Sequence, residues 1–147
     1  LGGENVRIGL VNRAQGSGTR ATFEKWVMQG KQPMAAQEQD STGMVRQIVG
    51  STPGAISYVA FSYIDKTVQG LSVDGVAPTD ANVTTNQWRI WSYEHMYTKG
   101  QPKGLTKKFL AYVMSPAIQK KLVLKMGYVP MTQMKVVRDA NGKVSKQ

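Results

Sequence analysis

One stretch limits the folds open to this chain more than any other: residues 6–27, which read VRIGLVNRAQGSGTRATFEKWV. Val6, Ile8, Leu10 and Val11 form a short apolar run suited to a buried strand, and beyond Thr19 the side chains of Phe23, Trp26 and Val27 recur at helical spacing. Strand must therefore give way to helix at Gly16-Ser17-Gly18-Thr19. Two glycines let the backbone come close to a ligand, Ser17 or Thr19 can cap the helix, and the first-turn N–H groups face outward at the positive end of the helix dipole. Such an arrangement is an anion socket. Arg13 stands just before the turn, where a guanidinium can grip a tetrahedral oxyanion through two parallel hydrogen bonds.

The same residues also fit a plain turn with a helix cap. Arg20 bears on the choice, because a cation in the first turn of a helix opposes the dipole and calls for a negative neighbour. A bound anion would serve, and so would Glu24, four residues on. Two other anion motifs do not fit. A Walker loop ends in Gly-Lys-Ser or Gly-Lys-Thr, whereas here Gly18 precedes Thr19-Arg20. The dinucleotide pattern is met by Gly16, Gly18 and Ala21, but it also needs a second strand ending in an acid, and no strand-like run precedes Glu38 or Asp40.

Arg13-x-x-Gly-Ser-Gly-Thr-Arg20 is followed in order by Pro53-Gly-Ala-Ile-Ser-Tyr-Val59, Val73-Asp-Gly-Val-Ala-Pro78 and Gly127-Tyr-Val-Pro130. This succession resembles the substrate-binding proteins of bacterial phosphate ABC transporters, and Trp91-Ser-Tyr-Glu-His-Met-Tyr-Thr-Lys-Gly100 resembles their Gram-positive branch. The resemblance runs over nearly the whole chain. It implies an α/β, periplasmic-binding-protein-like (type II) lobe with a mixed sheet flanked by helices, plus C-terminal helices belonging to the other lobe. Residues 1–97 would form the incomplete second, anion-binding lobe, and residues 98–147 would return to the first. The implied ligand is inorganic phosphate, held by Arg13, the Ser17 and Thr19 hydroxyls and the Gly18 and Thr19 amides. Family members usually carry an acid near Gln15, which can accept the proton that phosphate keeps and sulfate lacks. They also usually have glycine where this chain has Ser57. Transporter permease subunits are implied partners of the parent protein, and export with a lipid anchor on an N-terminal segment outside this chain is implied too.

The 147 residues, 41% of them hydrophobic, suffice for a buried core. No apolar run approaches a membrane span, and the first residues lack the character of a signal peptide. With no cysteine there are no disulfides and no thiolate chemistry. The formal charge of +10 resembles a nucleic-acid signal until it is located. Residues 1–97 hold eight Lys/Arg and eight Asp/Glu, while residues 98–147 hold eleven bases and one acid, Asp139. The balance in the first part argues against nucleic acid as a partner. The basic last third leaves one alternative open, an interaction module binding a polyanion, wall polymer or nucleic acid, through its lysines.

Along the chain, Gly30 suits a helix end, residues 31–39 a loop or short strand, and Asp40 or Ser41 a cap for a helix carrying Met44, Val45, Ile48 and Val49. Residues 55–60 read as a central strand, 71–73 as another, and 79–87 as loop or one helical turn. Alternation over 88–97 puts Ile90 and Ser92 on one face and Trp91 and Tyr93 on the other, with Trp91, Tyr93 and Tyr97 expected to pack. Residues 98–104 have linker chemistry. Leu105, Phe109, Tyr112 and Val113 mark the apolar side of a helix, and Ile118, Leu122 and Met126 that of a second one ending at Gly127. Asp139 to Gly142 suit a small terminal hairpin or a frayed tail.

No residue pattern supports catalysis. His95 has no cysteine and no second histidine beside it for a metal or a triad, and the carboxylates show no pairing. The expectation is an oxyanion receptor without a cofactor. A chain that carries half of such a site is also expected to self-associate, as a homodimer, through uncovered sheet edge and apolar face.

Overall fold

The computed structural model describes residues 5–34 and 36–147. It resolves the chain into two compact units, Leu1–Ser72 and Val73–Gln147. The 98–104 segment, expected as a linker, lies inside the second unit.

The first unit is built on three parallel strands in the order β2-β1-β3: β1 (Gly9–Arg13), β2 (Gln37–Gln39) and β3 (Ala55–Ile56). Helix α1 (Gly18–Phe23) runs on as a π-helical turn over Glu24–Met28, and α2 (Thr42–Ser51) follows β2. The chain leaves central β1, pairs β2 on one side, then crosses to pair β3 on the other. Loops leaving the carboxyl ends of β1 and β3 therefore diverge, which is where open α/β sheets leave a ligand crevice. Ser41 caps α2 by accepting from the Met44 N–H at 3.1 Å, and Val45 on that helix is fully buried.

Three sequence expectations change here. The apolar run is not a buried strand throughout: Val6, Ile8 and Leu10 are 46%, 57% and 44% exposed, whereas Val11 and Asn12 are buried. Positions 6, 8 and 10 share one face by the two-residue period of extended chain, and that face is exposed at all three. The absence of a strand-like run before Asp40, held against the dinucleotide pattern, is corrected by β2, the short strand that the reading of residues 31–39 allowed, with Glu38 paired to Asn12 of β1. Among the described residues the run at 55–60 pairs only at Ala55–Ile56, as an edge strand, and Ser57 next donates its hydroxyl to the Val11 carbonyl at 2.6 Å.

Gly54 has φ of 76°, and its carbonyl accepts from the Gly9 N–H at 3.0 Å. A Cβ there would stand 2.7 Å from the Arg7 carbonyl oxygen and 3.0 Å from Val6 Cγ2. Left-handed strain and overpacking together should make Gly54→Ala destabilising by roughly 2–4 kcal/mol. Denaturant midpoints measure this, and an unchanged midpoint would mean that the β1–β3 contact is looser than described.

The second unit contains α3 (Asp80–Thr84), α4 (Gly104–Val113), a helical segment over 116–125 that is π-helical at Ile118–Val123, and an antiparallel hairpin of β4 (Val136–Arg138) and β5 (Val144–Lys146). The strand expected at 71–73 is reduced to a single bridge, Val73 to Val76, around Asp74-Gly75, both at positive φ. Trp88 and Trp91 are buried. Residues 89–97 belong to no helix or sheet, and from Trp91 onward the alternation holds: the rings of Trp91, Tyr93, His95 and Tyr97 contact each other in succession. Tyr97, expected to pack, is 88% exposed at the end of that ladder. Buried Gln119 joins α4 to the following turn, donating to the Val113 carbonyl and accepting from the Met131 N–H, each at 3.1 Å. On α4 the expected apolar side is open: Leu105, Phe109 and Tyr112 are exposed, and the helix has no fully buried residue.

Candidate anion site

Between β1 and α1 the backbone makes a turn closed by the Ser17 N–H on the Ala14 carbonyl at 3.3 Å, and Gly16 takes the position that needs positive φ, at 87°. Ser17 is the N-cap: its Oγ accepts from the Arg20 N–H at 3.3 Å, which leaves its hydroxyl proton to be donated elsewhere. Ser17, not Thr19, does the capping. The N–H groups of Gly18 and Thr19, the first of the helix, have no acceptor among the described residues. Gln15, Gly16, Ser17 and Gly18 line an open cleft of about 380 Å³ together with Arg20, Ala21, Glu24 and Gln32.

Arg13 and Thr19 do not line that cleft. The Arg13 guanidinium turns toward the loop before α2, donating from Nε to the Gln39 carbonyl at 3.2 Å, from Nη2 to the Asp40 carbonyl at 2.7 Å and from Nη1 to Thr42 Oγ1. Of its five N–H donors these contacts use three, leaving one on each terminal nitrogen. The sequence singled out Arg13 as a candidate but gave no sign of Thr42 or of these carbonyls, since long-range partners leave no local spacing.

Arg20 finds its negative neighbours within the protein. It is buried, with Nε donating to Glu24 Oε1 at 2.7 Å and Nη1 to both Glu38 Oε1 at 2.6 Å and the Arg13 carbonyl at 2.8 Å. Hydrogen bonds to Glu24 first and Glu38 second raise its pKa above the ordinary arginine value. Glu38, weighed from the sequence only as the acid of a dinucleotide pattern, is thus occupied by an arginine.

A second layer sits beneath. Buried Asn12 accepts through Oδ1 from the Arg13 N–H at 2.9 Å and from the Tyr58 hydroxyl, whose ring stacks on Phe23 with centroids 4.1 Å apart. Burial, above all, raises the Tyr58 pKa, so this hydroxyl is a neutral donor. Among the described residues no group of His, Asp or Glu could hold a metal ion, and no helix is long and apolar enough to cross a membrane.

A parallel sheet whose first strand opens into a capped helix with unpaired amides makes an α/β lobe with a place suited to an anion. Residues 1–117 match the PBP superfamily domain, and the chain belongs to that family. It is 52% identical over 146 residues to the phosphate-binding protein PstS of Bacillus subtilis, covering 99% of this chain and 49% of that protein. With the phosphate-binding protein PstS 2 of Streptococcus agalactiae it shares 30% identity over 150 residues, 93% of this chain and 51% of the relative. The chain spans about half the length of the curated relatives it matches. Among solved structures, a putative phosphate ABC transporter substrate-binding protein from Clostridium perfringens with bound phosphate superposes with a TM-score of 0.76 at 28% identity, over 88% of this chain and 54% of that one. An ABC-type phosphate transport receptor from Vibrio cholerae gives 0.67 at 24% identity over 87% and 55%, a likeness of fold. The polyanion alternative finds no support among these relatives.

Proposed function

We propose that this chain contributes one side of an inorganic phosphate site in a substrate-binding protein that works with the permease of an ABC transporter on the outer side of the membrane. The observation that carries the reading is the pair of unpaired amides, Gly18 and Thr19, beside the Ser17 hydroxyl at the head of a helix. Phosphate is an anion with several acceptor oxygens, and each of these donors can meet one. Arg13 supplies its two remaining N–H groups, and no bond of the ligand is made or broken. The relatives extend over a further half, which under this reading supplies the facing lobe. The open faces at Val6, Ile8 and Leu10 and at Leu105, Phe109 and Tyr112 are suited to lie against it. In the lobe partition proposed, residues 1–97 serve the anion lobe and 98–147 the other.

Selectivity provides the test. Gln15, exposed at the cleft, can accept the proton of a phosphate oxygen but can equally donate to sulfate. Gln15→Asp replaces that neutral amide by an acceptor that repels a fully ionised anion. Parallel titrations with phosphate and sulfate should show the sulfate-to-phosphate affinity ratio falling about tenfold, or about 1.4 kcal/mol. An unchanged ratio would remove Gln15 from the site.

A further inference from the structure

We infer that Arg20, resting on the phosphate reading above, is a positioning residue that aims the Gly18 and Thr19 amides without touching the anion. Its guanidinium closes the loop on itself: Nη1 reaches from the first turn of α1 back to the carbonyl of Arg13, the last residue of β1. The same nitrogen reaches Glu38 on the adjacent strand β2, and Nε takes Glu24 further along the helix. Strand end, neighbouring strand and helix thus meet on one planar group. The loop between them, whose turn depends on Gly16, cannot rotate its amides without breaking one of these bonds. Arg20 lines the cleft, yet two carboxylates offset its single charge, so attraction of an anion is not its contribution. What it contributes is a rigid fork, and a lysine ammonium on a flexible stem does not reproduce that fork.

Arg20→Lys therefore separates geometry from charge. The measurement is a titration of the ¹⁵N-labelled chain with inorganic phosphate, following the Gly18 and Thr19 amides, beside thermal melting of each variant. Expected for Arg20→Lys is a dissociation constant raised about tenfold or more, from a starting value on the order of 1 mM, with broadened Gly18 and Thr19 resonances before phosphate is added. Glu38→Gln, which weakens only one anchor, should raise it about threefold by the same measure. A role confined to stability would instead lower the melting temperature and leave both constants at the wild-type value, and that result overturns the positioning role. If Arg20→Lys does not fold, Glu38→Gln decides alone by the same criterion. A wild-type chain in which phosphate moves neither amide overturns the phosphate reading itself, and the role with it.

Discussion

Arg13→Ala is expected to remove measurable phosphate binding from this chain. A hydrogen bond between charged groups contributes about 1.5–3 kcal/mol, and the two N–H groups left free by the internal contacts of Arg13 can make two of them. The cleft is open to water, and its whole affinity is on the order of 4 kcal/mol, so losing both such bonds leaves about 1 kcal/mol or less. The substitution also releases the Gln39 and Asp40 carbonyls and Thr42 Oγ1. Those carbonyls can be hydrated, so stability should fall by only about 1 kcal/mol. Arg13→Lys distinguishes the two effects: the charge remains and the fork is lost, and binding should still fall by about tenfold. Titration calorimetry or amide shifts measure it, and an Arg13→Ala chain with wild-type affinity would take Arg13 out of the site.

Trp91→Ala should be the most destabilising single change in the second unit. Trp91 is buried, its indole N–H donates to Asn86 Oδ1 at 3.0 Å, and the Arg138 guanidinium lies 3.9 Å above its ring. Arg138 also donates to the carbonyls of Trp91 and Arg89 and to Asn86 Oδ1, so it binds β4 to the extended segment through that ring. Burial lowers the Arg138 pKa, and the aromatic face partly compensates for the water it has lost. Removing the indole leaves a cavity beneath a charge, with an expected cost of about 3–5 kcal/mol. Denaturant unfolding reports the cost, and faster amide exchange at Val136–Arg138 locates it. A loss below about 1 kcal/mol would mean that Trp91 is a covering residue and not the support of Arg138.

What the sequence made legible was local. The strand, glycine turn and capped helix from Gly9 to Phe23 could be read because caps and turn glycines act over three or four residues. Ser41 before α2, the hairpin of β4 and β5, and the ring alternation from Trp91 to Tyr97 were legible for the same reason. Burial was not legible, since it depends on what lies opposite. Leu10 and Phe109 satisfy the apolar pattern, yet both are exposed within this chain. Strand β2, only Gln37–Gln39, carries no apolar signal, because its stability comes from pairing with β1 and from Arg20 holding Glu38. In the site, Ser17 and Gly18 fell where the motif placed them, while the Arg13 contacts to Gln39, Asp40 and Thr42 arise from tertiary structure alone.

The central claim is that phosphate is bound at the head of α1, and residue-resolved amide NMR of the chain during a phosphate titration tests it most directly. The account predicts saturable shifts at Ser17, Gly18 and Thr19 with a dissociation constant on the order of 1 mM, and little change among the lysines of residues 98–147. Shifts confined to those lysine-rich residues, with Gly18 and Thr19 unmoved, would contradict it.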